Sequence, residues 1–228
     1  MNRFITAATL LALLIANSGT YADSADGERK VIADLVPGCR FQATVPAQAN
    51  LSTGQVNRDS GGFSVENALN VKTNLYIEPF YLGFACYDDT ADVIGSDPVR
   101  YDEQSKRWKR DMQRFFDAQV SFEPDTKKRY DKATHFFELT AKNSQGFAFT
   151  QDDLTGEERG RRRMLRYCLF HPPKVLCGDG EMGYVQDIKR HPKNDLTSYA
   201  LKILRSIEFL DESASAPGSA ASQASSAR

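Results

Sequence analysis

Four cysteines, Cys39, Cys86, Cys168 and Cys177, constrain this chain more than any other feature, because the segment ahead of them sends them to an oxidising compartment. Met1-Asn2-Arg3 is a short positive start, Phe4 to Ala16 is an apolar run broken only by Thr6 and Thr9, and Asn17 to Ala22 is a small-residue exit. That three-part build predicts a signal peptide over residues 1–22 with cleavage after Ala22. The apolar run is shorter than the roughly twenty residues that span a bilayer as a helix. The mature chain is therefore expected in the periplasm, or secreted, with no stable membrane anchor. An even cysteine count in such a compartment favours disulfides over free thiols.

Spacing selects the pairing. His171-Pro172-Pro173-Lys174 reads as the turn of a hairpin between Arg161–Phe170 and Val175–Val185. With four loop residues, Phe170 faces Val175, Leu169 faces Leu176 and Cys168 faces Cys177. Directly opposed residues at a non-hydrogen-bonded position lie about 4.5 Å apart at Cα, at the short end of disulfide geometry. Cys168 is therefore paired with Cys177, and Cys39 with Cys86 by exclusion.

Apolar periodicity places the other elements. Cys39 to Pro46 alternates and stops at proline, Phe63-Ser64-Val65 alternates after Gly61-Gly62, and Leu75 to Tyr87 is an aromatic run broken by Pro79, either two strands with a bend or one edge strand bulged there. Asp97-Pro98 looks like a helix start, and Tyr101, Trp108, Met112, Phe115 and Phe116 recur as a helical stripe on a charged segment. A turn is expected at Pro124-Asp125, followed by strands at His135–Ala141 and Phe147–Thr150 and then the bridged hairpin. Asn194-Asp195 caps a second helix carrying Leu196, Tyr199, Ala200, Ile203, Leu204 and Ile207. The order predicts an α+β fold, an antiparallel β-sheet flanked by two principal α-helices. Its bounds are a polar lead-in over 23–36, one domain over 37–212, and a Ser/Ala-rich tail over 213–228 that cannot offset its ordering entropy.

The opening strand Phe41 to Pro46, the Gly-Gly strand and the aromatic strand resemble the start of exported proteins with a PsbP/Mog1-like fold. The finish, Tyr199 to Phe209 with its Ser206-Ile207-Glu208-Phe209 ending, is similar to that family's closing helix and last strand. The resemblance implies a non-catalytic sandwich that binds other proteins, and some exported members of such families are immunity proteins that neutralise toxins in the bacterial envelope.

Sites of chemistry are scarce. The formal net charge of −1 argues against nucleic acid as a partner. Gly178-Asp179-Gly180-Glu181-Met182-Gly183 has the G-x-G-x-x-G spacing of a dinucleotide loop. The next residues, Tyr184 to Ile188, alternate like a strand, and Asp179 and Glu181 would repel phosphate, so a bulge in the second hairpin strand is expected instead. The histidines His135, His171 and His191 lack metal-ligand spacing. Asp88-Asp89 and Asp152-Asp153 read as solvated turns. No G-x-S-x-G elbow or Ser-x-x-Lys pair occurs, so neither a catalytic residue nor a cofactor or metal ligand is expected. The leading expectation is a periplasmic protein-interaction module, an immunity protein or inhibitor with a toxin effector as partner. Its candidate interface is Arg161, Arg163, Arg166, His171, Pro172 and Pro173, arginine being favoured at interface hot spots. The alternatives are an accessory protein that binds a small ligand or envelope component, and a cell-wall or lipid hydrolase.

Overall fold

The computed structural model describes residues 27–54, 59–68, 79–88, 91–119 and 122–210. The predicted signal peptide and Ser/Ala-rich tail lie outside them, as does the stretch from Leu75 to Glu78. In chain order the first strands are β1 (Glu28–Asp34), β2 (Arg40–Pro46), β3 (Asn50–Thr53), β4 (Ser60–Val65) and β5 (Phe80–Asp88). A hairpin, β6 (Val99–Asp102) and β7 (Arg107–Arg110), leads to helices α1 (Met112–Asp117) and α2 (Pro124–Ala133). Strands β8 (Thr134–Thr140), β9 (Gln145–Asp152), β10 (Arg162–His171) and β11 (Lys174–Tyr184) come next. Helices α3 (Val185–Arg190) and α4 (Thr197–Arg205) and the short β12 (Glu208–Phe209) close the described chain.

The fold is α+β. A seven-stranded sheet runs β3-β4-β5-β11-β10-β9-β8, with every neighbouring pair antiparallel. A second sheet, β1-β2-β12, packs together with α4 on one face of the large sheet, its inner face. The alternation in β2 shows why: Phe41, Ala43 and Val45 are at most 1% exposed, while Arg40, Gln42 and Thr44 between them are half-buried. They meet Phe63, Phe80, Leu82, Phe84, Leu165 and Leu169 of the large sheet and Ala200, Ile203 and Leu204 of α4. Phe41 stands edge-on to Phe84 at 5.3 Å between ring centroids, an arrangement that rings favour over a face-to-face sandwich.

Both predicted disulfides are present. Cys168 faces Cys177 in register, with Cα atoms 4.1 Å apart. The turn is tighter than expected, since His171 and Lys174 also pair and only Pro172-Pro173 remain outside the ladder. Cys39–Cys86 joins the residue before β2 to the end of β5, and so ties the small sheet to the large one. The expected bulge also forms. Met182 and Gly183 oppose the single Arg163, and Gly183 takes φ +118, a conformation that glycine adopts without strain.

Five expectations about local structure need correction. The polar lead-in over 23–36 is, from Glu28, strand β1. Its pairing with β2 buries Val31 and Ala33 and leaves Ile32 half exposed. The helix expected from Asp97-Pro98 is the β6–β7 hairpin followed by one short helix. Tyr101 and Trp108, seven residues apart and so compatible with one helical face, are cross-strand partners instead. A turn separates them: Lys106 takes φ +52, and the Ser105 hydroxyl donates to the Asp102 carboxylate at 2.6 Å. Pro124-Asp125 is not a turn but the first turn of α2, where proline forfeits no hydrogen bond and Asp125 meets the positive helix end. The alternation from Tyr184 to Ile188 is not a strand beyond Tyr184. Val185 and Ile188 are buried on one side of α3, a spacing of three that one helical turn satisfies as well. The cap expected at Asn194-Asp195 is displaced: Leu196 is the N-cap residue of α4 and caps it with no side-chain hydrogen bond, while Asp195, one residue earlier, accepts from the Thr197 amide through Oδ1 at 2.9 Å.

Candidate functional site: a groove on the outer face of the large sheet

Side chains alternate across a strand, so the residues of β5 divide cleanly. Phe80, Leu82, Phe84 and Cys86 face the inner core, which leaves Tyr81, Gly83, Ala85 and Tyr87 on the other side. Over β8, β9 and β10 that outer face is covered by the β6–β7 hairpin. Trp108 stacks on Phe170 at 4.7 Å and lies 4.9 Å from Phe147, with Val99, Phe149 and Val175 completing a second core. Over β5 and residues 177–179 of β11, beyond Val175, the face opens. Tyr81 and Tyr87 are 50% and 47% exposed there.

The uncovered half is a groove of about 710 Å³. Gly83, Ala85 and the Cys168–Cys177 bridge line it, with Tyr81, Tyr87, and Ser52 and Thr53 of β3 around it. On the β10–β11 side stand Arg166 and Asp179, which oppose one another in register, and Asp97 reaches in from the segment before β6. Arg166 pairs with Asp97 rather than with Asp179, at 2.7 Å; the arginine side chain is 58% exposed and the aspartate 6%. Burial pushes the Asp97 carboxyl above its ordinary range, and Arg166 and then Arg114 oppose that rise. Beneath the floor, the buried Tyr167 hydroxyl donates to the Gly83 carbonyl at 3.0 Å. Burial raises its pKa, with Asp179 and Tyr81 adding to the shift.

No histidine is among the groove's lining residues, so its serine and threonine hydroxyls have no imidazole base beside them. Among the described residues no three His, Cys, Asp or Glu side chains gather as a set of metal ligands. The arrangement offers an aromatic surface, one anchored guanidinium and one exposed carboxylate, which is chemistry for binding.

The six residues expected to form one interface are spread over both faces and both ends of β10. Arg166 lines the groove. Arg163 points to the inner side, where it holds Asp152 through Nε at 2.6 Å and Asp195 through Nη1 at 2.8 Å, with its side chain 14% exposed. It is a clamp between β9, β10 and the start of α4, so Asp152 is an ion-pair partner rather than part of a solvated turn. Arg161 donates to the Gly156 carbonyl at 3.0 Å. His171 stacks on Phe209 at 4.6 Å, and its Nδ1 lies 2.9 Å from the Asn143 carbonyl oxygen, which fixes the Pro172-Pro173 turn against β12 rather than beside the groove. The glycines of the dinucleotide-like run lie along β11, within the sheet, and not in a loop that opens a helix. Sequence reasoning missed Tyr81, Tyr87, Asp97 and Asp179. The alternation Tyr-x-Gly-x-Ala-x-Tyr from Tyr81 to Tyr87 was the available signal, a small-residue floor between two rings on one strand face.

No family model and no curated protein matches this sequence. Among solved structures the chain is similar to cyanobacterial PsbP (CyanoP) from Synechocystis sp. PCC 6803, with a TM-score of 0.40 and 10% identity over 86% of this chain and 99% of that one. The α+β class rests on the sheet order and helices described above, and function is argued from the groove. No helix of the described residues is long and apolar enough to cross a membrane.

Proposed function

We propose that this chain is an exported, non-enzymatic binding module of the periplasm or cell exterior, and that it engages a protein partner through the outer-face groove. The observation that carries this reading is the pair of half-exposed tyrosines, Tyr81 and Tyr87, on a strand stapled by a disulfide. Tyrosine on a rigid frame contributes large contact area with little side-chain entropy to lose, which is why it is enriched at binding hot spots. In the form suggested by the PsbP/Mog1-like resemblance, the module is an immunity protein or inhibitor that blocks a toxin acting on the envelope. Oxidised mature protein immobilised and exposed to native envelope extract tests the reading. A stoichiometric partner retained by the wild type and lost by Tyr81→Ala/Tyr87→Ala is the expected result. Equal retention by both proteins removes the groove from the interaction.

A second reading has one observation in its favour. The groove's volume falls within the roughly 300–1,000 Å³ of small-molecule sites, so the alternative is an accessory protein that binds a small ligand or envelope component. A co-purified small molecule in native mass spectrometry, absent from the tyrosine variant, would favour it.

A further inference from the structure

We propose that the groove recognises a cation, specifically a lysine or arginine side chain on an extended segment of the partner, through the Asp179 carboxylate and the ring of Tyr81. This rests on the groove being the interaction surface and adds the chemistry of what enters it.

Three charged groups meet on this face. Asp179 stands between Arg166 on β10, its partner in register, and Gly83 on β5, whose Cβ position lies 3.5 Å from the Asp179 carbonyl oxygen. Arg166 is placed to neutralise it but is held by Asp97 instead. That choice has a physical cause. Asp97 is 5% exposed, and a buried carboxylate left without a partner costs far more than an exposed one, so the guanidinium goes where desolvation is greatest. Asp179 remains exposed, and its carboxylate makes no hydrogen bond or ion pair among the described residues. With Asp97 and Arg166 paired, Asp179 is the carboxylate among the groove's lining residues that no ion pair of the described residues takes.

Tyr81 supplies the second component. Its ring lies across Gly62 and Gly83: a Cβ on Gly62 would fall 2.4 Å from its hydroxyl oxygen, and one on Gly83 3.2 Å from its Cε1. The ring is therefore held flat, and the side chain is half exposed. An exposed aromatic face lining the same groove as an unpaired carboxylate suits an ammonium or guanidinium head, which gains from the ring quadrupole and the opposite charge together. An anionic ligand meets the opposite conditions, since the groove's one guanidinium is already paired.

The test uses the mature, oxidised protein and four capped seven-residue peptides of Gly and Ser with Arg, Lys, Gln or Glu at the centre. Binding is followed by amide chemical shifts and by isothermal titration at low and at physiological salt. The expected result is shifts clustered at Gly83, Ala85 and Asp179, with the Arg and Lys peptides at least tenfold tighter than the Gln and Glu peptides. That preference disappears in Asp179→Asn, falls severalfold in Tyr81→Leu (which keeps apolar cover over the glycines), and weakens with salt. Spermidine serves as a free-cation arm, and binding as tight as that of the peptides would overturn the assignment to a protein segment. No binding by any peptide, or equal binding by the Arg and Gln peptides, overturns the cation preference itself. If Asp179→Asn captures the extract partner as wild type does while Tyr81→Ala/Tyr87→Ala loses it, this inference fails and the groove remains the interface.

Discussion

Removing the two disulfides one at a time should destabilise the protein unequally, and the difference can be worked from chain connectivity. Cys39–Cys86 closes a separation of 47 residues and Cys168–Cys177 one of 9. In the chain-entropy model, loops of those lengths restrict the unfolded chain by about 4 and about 2.6 kcal/mol at 25 °C. The variant Cys39→Ala/Cys86→Ala should therefore be the less stable by about 1.4 kcal/mol, a factor of ten in the unfolding equilibrium. Each variant loses two sulfur atoms. Three of the four cysteines are at most 5% exposed and Cys177 is half-buried, so the lost packing enters both sides and adds slightly to the gap. Urea unfolding provides the assay. Trp108, the chain's one tryptophan, reports the outer core by fluorescence, and far-ultraviolet dichroism reports the sheets. The m-value should rise more in the long-loop variant, because its unfolded ensemble expands more. Equal stability loss, or the larger loss in Cys168→Ala/Cys177→Ala with coincident transitions, would refute loop entropy as the main contribution of the bridges. A long-loop variant whose two probes separate would instead show that Cys39–Cys86 holds the small sheet onto the large one in the native state.

Gly178→Ala should cost more than about 3 kcal/mol or prevent folding, since the new Cβ would meet the Gly83 carbonyl oxygen of the adjacent strand at 2.0 Å and only backbone movement could relieve it. Soluble yield and the urea midpoint measure this, and a near-wild-type midpoint would show that β5 and β11 are farther apart. Tyr199→Phe should leave stability unchanged or raise it by about 1 kcal/mol. Among the described residues the Tyr199 hydroxyl is buried without a hydrogen-bond partner, and burial pushes its pKa up to about 12. A loss of stability in that variant would reveal a partner for the hydroxyl. The carboxyls give opposite pH dependences. The folded Asp97 pKa lies above its ordinary 3.8, so the native state holds this proton more tightly than the unfolded state, and stability from this group falls as pH rises from 3.8 through the raised value. Glu138 and Glu208 are shifted down, first by hydrogen bonds from Arg107 and Lys142 respectively, so their contribution is present above the ordinary glutamate range and is lost as pH falls through the lowered values. Asp97→Asn should remove the falling component and leave the acid limb; melting temperatures from about pH 3 to 8 that are parallel in the two proteins would contradict this.

What was legible in the sequence was whatever depends on local periodicity or on fixed covalent geometry. β2 could be read because three inward residues alternate with polar ones and a proline ends the run. α4 could be read because its apolar residues keep one face over three turns and an aspartate precedes them. The bridged hairpin could be read because two prolines fix the turn, and two cysteines at equal distance from it must then face each other. The segment from Asp97 to Phe116 failed for a related reason. A spacing of seven places Tyr101 and Trp108 on one side of a helix, and a hairpin with a four-residue turn brings the same two residues opposite one another. Periodicity alone cannot separate these outcomes, and contact with Phe147 and Phe170 of strands more than thirty residues away decides it.

The candidate site was harder still, because its defining relation joins three segments distant in sequence. Nothing local says that Asp97, in a segment that reads as a helix start, will be buried and will draw Arg166 away from the Asp179 that opposes it. Arg166 was identified from composition as an interface arginine, but its role depends on which of two carboxylates it neutralises. That is decided by relative burial, a property of the folded sheet. The same competition accounts for Arg163, three residues from Arg166 and, by that odd spacing, on the opposite face of β10. It is consumed by Asp152 and Asp195 on the inner side, while Arg166 stands at the groove. An arginine-rich strand thus supplies one structural clamp and one wall of a binding surface, and the free charge of that surface is the carboxylate that neither arginine takes.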